Sequence, residues 1–204
     1  MLHSFLAVNY YGTIVHICVI ISLNLKWGYD FGLSRIWKNE ASKWIEQTFE
    51  EWQRNYANSY RTNESWNDSL TPLECYCAGY MTRVNELLRT GSSSVNIEKL
   101  HNLKRFLDDD FNSAPFIQDN IVVYRYVDVD EFNQILNSDT GFIDKGFLST
   151  TLNKRLYLEQ DNRLNYLDTD YVLKIYVKKG TKALFVSGFE YSIKNEFELL
   201  FKRN

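Results

Sequence analysis

Apolar and polar positions change rhythm halfway along this chain. From Ser34 to Tyr56, residues Trp37, Ala41, Trp44, Ile45, Thr48, Trp52 and Tyr56 recur at three- and four-residue spacings, which predicts a helix with one apolar face. The following stretch, ANSYRTNESWNDS, is polar and reads as a loop. A second helix then starts with strong punctuation. Thr71 is its N-cap, Pro72 sits in the first turn, and Glu74 completes a capping box. Leu73, Tyr76, Cys77, Tyr80, Met81, Val84, Leu87 and Leu88 form its apolar side, and Gly91 closes it. A third helix, Asn96–Asp109, carries Ile97, Leu100, Leu103 and Phe106.

Beyond Asn120 the period changes. NIVVYRYV (Asn120–Val127) is β-branched and aromatic and predicts a strand. DVDEFNQILN is a short helix capped by Asp128. GFLSTTL, YVLKIYV, KALFV and EFELLF are four further strand candidates. Helices first and strands later imply an α+β fold, with N-terminal helices packed on a mixed, mainly antiparallel β core. There is no βα alternation, Gly-rich phosphate loop or internal repeat, so a dinucleotide fold of the Rossmann type and a P-loop have no support.

The N-terminus stands apart. GTIVHICVIISL (Gly12–Leu23) has the length of a signal-peptide apolar region, lacks a preceding Lys or Arg, and is short for a membrane span. Residues 1–33 therefore read as a hydrophobic signal-like or targeting segment, with a buried helix as the alternative, and residues 34–204 as the working domain. No stable membrane span is expected after processing. A length of 204 residues suits one such domain, and 45% hydrophobic and 16% aromatic residues suffice for a core. The net charge of −3 and the scattered Lys and Arg exclude an electrostatic footprint for nucleic acid. Cys18, Cys75 and Cys77 and the dispersed His3, His16 and His101 match no zinc spacing. Cys75 and Cys77 lie on diverging faces of one helix, so neither a metal nor a disulfide is expected.

Three polar features interrupt apolar strand segments: Arg125 in VVYRYV, Ser149–Thr151 in GFLSTTL, and Glu196 and Glu198 in NEFELLF. Each alone has a plain explanation. A strand arginine is usually at the surface or in a structural ion pair, Ser-Thr-Thr is simply β-prone, and paired acids are usually solvated. In a strand, however, Glu196 and Glu198 would share a face, and like charges held so close in a cleft repel.

Taken in order, these features resemble the mono-ADP-ribosyltransferase toxin family, in its arginine, Ser-Thr-Ser, Glu-x-Glu branch. NEASKWIEQTFEEWQRNY resembles the opening helix of its catalytic domain. SLTPLE with YMTRVNELLR is similar to its next helix, with Asn85 and Arg89 at the conserved ending. NIVVYRYV, DKGFLSTTL, VKKGTKALFV and NEFELLF follow in the family's order. The resemblance covers Ser34 to the end. It implies NAD as substrate, with no metal, and an ADP-ribosyltransferase-like fold.

It also implies roles. Arg125, assisted by Arg89, would give bidentate charge-assisted bonds to the NAD pyrophosphate, and Asn85, Ser149 and Thr150 would line the same site. Glu198 would stabilise the oxocarbenium-like centre that forms as the nicotinamide–ribose bond breaks, and would hold the ribose. Ser149 would fix the Glu198 rotamer. Glu196 would face the acceptor and take a proton from it, and family members with Glu at this position modify arginine. Phe189 and Tyr191 are candidates for substrate recognition, because the family's aromatic position is occupied by Ile193. Tyr126 stands where the family usually has Gly, and Thr151 replaces the second Ser. The family continues with further strands beyond its Glu-x-Glu, so the last strands are expected to be wanting here.

The leading expectation is thus a mono-ADP-ribosyltransferase acting on an arginine of a target protein, as a secreted bacterial toxin or effector in a host cell, and a monomer. The alternatives are an NAD glycohydrolase and a catalytically silent NAD- or partner-binding module, and a cytoplasmic location.

Overall fold

A long amphipathic helix supplies one layer of the fold. The computed structural model describes residues 3–10, 13–20, 38–61, 65–66, 68–138, 143–153, 171–192 and 196–202. Helix α1 (Lys38–Arg61) buries Ala41, Ile45, Phe49 and Tyr56 at helical spacing. The polar stretch after Tyr56, expected to be a loop, instead continues the helix to Arg61. The cause is tertiary. One turn beyond Tyr56, the Tyr60 hydroxyl donates to Asp110 Oδ1 at 2.6 Å, while Tyr56 donates to Asp110 Oδ2 at 3.0 Å.

The capping box at Thr71 forms as expected. The Thr71 hydroxyl accepts from the Glu74 N–H, and the Glu74 carboxylate accepts from the Thr71 N–H. The helix it starts is not continuous. Helix α2 (Pro72–Cys75) passes into a π-turn at Tyr76–Tyr80 before α3 (Met81–Thr90) resumes. Gly79 adopts φ of 113°, a conformation glycine tolerates and most residues do not. This break turns Tyr76 into full burial. Helix α4 (Ile97–Ser113) is capped by Asn96 and packs Leu100, Leu103, Phe106, Leu107 and Phe111 inward. Helix α5 (Val129–Leu136) is capped by Asp128.

The strands are β1 (His3–Tyr10), β2 (Thr13–Ile20), β3 (Ile121–Val127), β4 (Leu148–Thr151), β5 (Tyr171–Val177), β6 (Leu184–Phe185) and β7 (Glu198–Phe201). Their spatial order is β1-β2-β5-β3-β4-β7-β6, and every pairing among the described residues is antiparallel. The apolar run at Gly12–Leu23 supplies β2, which pairs with β5, rather than a buried helix. Two strands therefore precede the helices, and the rest follows the α+β order read from the sequence.

Alternation along β7 divides its side chains between two cores. Leu199 and Phe201 join β3, β5 and α5, whereas Leu200 joins the helices α2, α3 and α4. The candidate site lies where these two cores meet.

Candidate functional site

Strands β4 and β7 pair with Ser149 opposite Leu200 and Thr151 opposite Glu198. Ser149, Thr151 and Glu198 therefore share a face of the sheet. The Ser149 hydroxyl donates to Glu198 Oε1 at 2.5 Å. Thr150 points the other way, is buried, and donates to the Leu199 carbonyl at 2.9 Å. It ties the two strands together on the face opposite Ser149.

Glu196 does not lie in a strand. Strand β7 begins at Glu198, and Glu196 occupies the turn before it. Phe197 between them has φ of 50°, a left-handed backbone that breaks the alternation expected from the sequence. The turn is held by other means. The Thr151 hydroxyl donates to the Glu196 carbonyl, the Leu152 N–H to the Phe197 carbonyl, and the Glu198 N–H to Ser187 Oγ at 2.7 Å. Both carboxyls are raised above the usual carboxylate range. For Glu196 the causes are burial and then the Glu198 charge. For Glu198 burial raises, while the Ser149 hydrogen bond and Arg125 pull the other way.

Arg125 shares the strand parity of Ile121, Val123 and Val127, which are all buried. A guanidinium at a core position needs partners. Its Nε and Nη2 donate to the two carboxylate oxygens of Glu131, at 2.9 and 3.1 Å, and its Nη1 donates to the Ser149 carbonyl at 3.0 Å. Ser149 thus joins the arginine through its backbone and the acid through its hydroxyl.

Helix α3 supplies the remaining groups. Arg89 forms a bidentate pair with Asp144, with Nε–Oδ1 at 2.9 Å and Nη2–Oδ2 at 2.7 Å. Asp144 also accepts the Gly146 N–H at 2.8 Å. Burial works against its charge, but Arg89 and the Gly146 N–H outweigh burial and hold its carboxyl below the usual range. Asn85 accepts the Phe147 N–H at 2.8 Å and donates to the Tyr76 hydroxyl at 3.1 Å. Burial and then Glu198 raise the Tyr76 hydroxyl, and the same causes, followed by Glu196, raise the Cys77 thiol, so both stay neutral beside the acids.

The sequence reading therefore brought Arg125, Ser149, Glu196, Glu198, Arg89 and Asn85 to one place. The recognition residues part company. Phe189 packs edge-on against Tyr56, with centroids 5.2 Å apart, in the helical core. Tyr191 is exposed, at φ of 68°. Ile193 lies outside the described residues. Glu131, Asp144 and Ser187 were missed. Glu131 stood unremarked in the short helix DVDEFNQILN, and Asp144 at the start of DKGFLSTTL. Among the described residues, no cluster of His, Cys, Asp or Glu is suited to a metal.

Comparison with known proteins gives this arrangement a context. A family profile described as ADP-ribosyltransferase exoenzyme matches residues 41–204. The chain is 27% identical to the NAD(+)–arginine ADP-ribosyltransferase EFV of Enterococcus faecalis, over 81% of this chain and 39% of that protein, so it spans about two fifths of the relative's length. Among solved structures it resembles Plx2a, an ADP-ribosyltransferase toxin from Paenibacillus larvae, at 18% identity with a TM-score of 0.59, covering 82% of this chain and 83% of the other. It also resembles BECa, an ADP-ribosylating toxin of a binary enterotoxin of C. perfringens, at 21% identity with a TM-score of 0.57, covering 81% and 41%.

Proposed function

The chain belongs to the ADP-ribosyltransferase exoenzyme family, and on that premise we propose that it transfers ADP-ribose from NAD to an arginine side chain of a target protein. The observation that carries this reading is the Glu198 carboxyl, which accepts from the Ser149 hydroxyl and lies close enough to Glu196 for its charge to raise that acid. Two neighbouring acids, one fixed by a hydroxyl and one in the adjoining turn, suit a reaction with two charged partners.

In this reading Arg125 and Arg89 bind the NAD pyrophosphate. A guanidinium has five N–H donors. Arg125 uses three of its nitrogens once each among the described residues, so it can keep Glu131 and still donate. Glu198 stabilises positive charge as the nicotinamide–ribose bond breaks and nicotinamide leaves with the bonding electrons. An acceptor guanidine nitrogen then bonds to the ribose carbon, and Glu196 receives the proton it sheds. A guanidinium is a poor nucleophile until a carboxylate orients and deprotonates it, and the presence of Glu196 for that task favours arginine as acceptor. Tyr191, exposed and five residues before Glu196 in the chain, is the residue we assign to meeting the target protein. The exoenzyme family match supports a secreted toxin or effector as the setting for this activity.

The test is transfer of labelled ADP-ribose from NAD to a host-cell lysate and to agmatine, a simple guanidine compound. Label on both acceptors, lost in Glu198→Ala, supports the reading. NAD consumption with no labelled acceptor replaces it with NAD hydrolysis. NAD binding with neither turnover leaves a silent module.

A further inference from the structure

The two arginines beside the acid pocket are not independent. Arg89 comes from α3 and Arg125 from β3, and one buried carboxylate lies between them. Asp144 makes two hydrogen bonds to Arg89 and has its Oδ2 4.0 Å from Arg125 Nη2. The exposures are graded. The Asp144 side chain is 3% exposed, Arg125 14% and Arg89 42%. The acid is at the bottom, and the cations lie between it and solvent.

The surroundings are shaped around this contact. A Cβ at Gly146 would lie 2.9 Å from Asn85 Oδ1 and 3.2 Å from Arg89 Nη2, so a bare backbone is needed for α3 to approach. The Gly146 N–H in turn donates to Asp144. Two adjacent guanidinium groups repel each other, and a carboxylate between them offsets that repulsion while fixing both planes. A tie that only fastened α3 to this turn would not need a second arginine beside it. Asn85 already fastens the same turn through the Phe147 N–H.

Resting on the ADP-ribosyltransferase reading above, we infer that Asp144 is a positioning residue for the substrate pyrophosphate: it sets Arg89 and Arg125 side by side as a paired anion cradle. Arg89 spends Nε and Nη2 on Asp144 and keeps Nη1 for the ligand among the described partners. The Arg89 side chain remains 42% exposed, which leaves that nitrogen within reach of a ligand. The role is in binding and not in bond cleavage, because Asp144's partners among the described residues are Arg89, Gly146 and Arg125 and not the two acids.

The experiment is steady-state kinetics in NAD for the full chain, with Asp144→Asn and Arg89→Lys. The lysine keeps the charge and leaves Asp144 a partner, but it cannot make the bidentate pair. Both variants are expected to raise KM for NAD on the order of 10–100-fold, the worth of a lost charge-assisted pair, with kcat largely retained. Inhibition by ADP should weaken in parallel, whereas inhibition by nicotinamide, which has no phosphate, should not move. If Asp144→Asn does not fold, Arg89→Lys decides. Unchanged KM in a folded variant, or a fall in kcat with KM intact, overturns the inference while the parent reading stands. A wild-type chain that neither turns over nor binds NAD removes both.

Discussion

Ser149 and Glu198 are diagonal neighbours across the β4–β7 ladder. The ladder pairs Ser149 with Leu200, yet the Ser149 hydroxyl reaches Glu198 Oε1 at 2.5 Å. The bond fixes which way the carboxyl points, and the Glu198 N–H is separately held by Ser187. Backbone and side chain of the same acid are thus each anchored by a serine.

Loss of the side-chain anchor should therefore cost rate more than affinity. Ser149→Ala is expected to lower kcat about 10–100-fold, as for a lost hydrogen bond to a charged group, with KM for NAD little changed. Glu198→Ala should cost at least as much, on the order of 10²–10³. Turnover of NAD measured in both variants checks the order. A Ser149→Ala enzyme with wild-type kcat would show that the bond has no part in orienting Glu198.

Glu196 should separate transfer from hydrolysis. It is raised by burial and by Glu198, and as a proton acceptor it works only when ionised. Its raised pKa moves the rising limb of transfer above the usual carboxylate range, so transfer should increase as pH rises towards and past neutrality. Glu196→Gln should abolish transfer to agmatine, remove that limb, and keep some NAD hydrolysis. Both rates, measured in parallel across about pH 5 to 9, provide the check. Equal loss of the two would end the division of labour between the acids.

Glu131 should behave as a stability residue first. It gives the buried Arg125 guanidinium its bidentate partner, and Arg125 sits at a core parity of β3. Breaking a buried pair from one side costs about 3–5 kcal/mol. The Arg125 side chain keeps 14% exposure, so Glu131→Gln should fall at or below the low end of that range. Urea unfolding measures it. Adding Arg125→Met removes the stranded charge and should recover much of the loss. A double variant no more stable than Glu131→Gln would mean that the stranded charge was not the cause.

The parts of the site that follow strand order were legible beforehand. Arg125, Ser149 and Glu198 stand out as polar residues in apolar runs, and a period of two shows them. Glu196 was placed beside Glu198 for a reason the structure replaces. The pleat does not align the two acids; a left-handed Phe197 and the Thr151 and Ser187 contacts hold the turn. Glu131 and Asp144 were hidden because their roles depend on side chains arriving from β3 and α3, which one-dimensional spacing does not encode. The break at Gly79 was hidden for a related reason: the apolar spacing passes through it unchanged. The extra turn of α1 to Arg61 depends on Tyr60 finding Asp110, a partner 50 residues away.

That same Asp110 makes a prediction about pH. Its carboxyl is buried between α4 and α1, accepts from Tyr56 and Tyr60, and is pushed up to about 7, first by desolvation and against the pull of the two hydroxyls. In the unfolded chain it titrates near the ordinary value of about 3.9. Between those two values the folded state binds the extra proton, so folding is favoured at the acidic end. Its contribution is complete below about pH 4, declines as pH rises, and is lost above about 7, with a slope of at most about 1.4 kcal/mol per pH unit. Asp110→Asn cannot ionise and keeps an oxygen for one tyrosine. The variant should flatten the dependence of melting temperature on pH over that window, and should lose least, relative to wild type, at the upper end. Thermal melts of both proteins at several pH values measure this. Parallel curves would mean that Asp110 is already ionised in the folded protein, with both tyrosine hydroxyls serving to hold its charge.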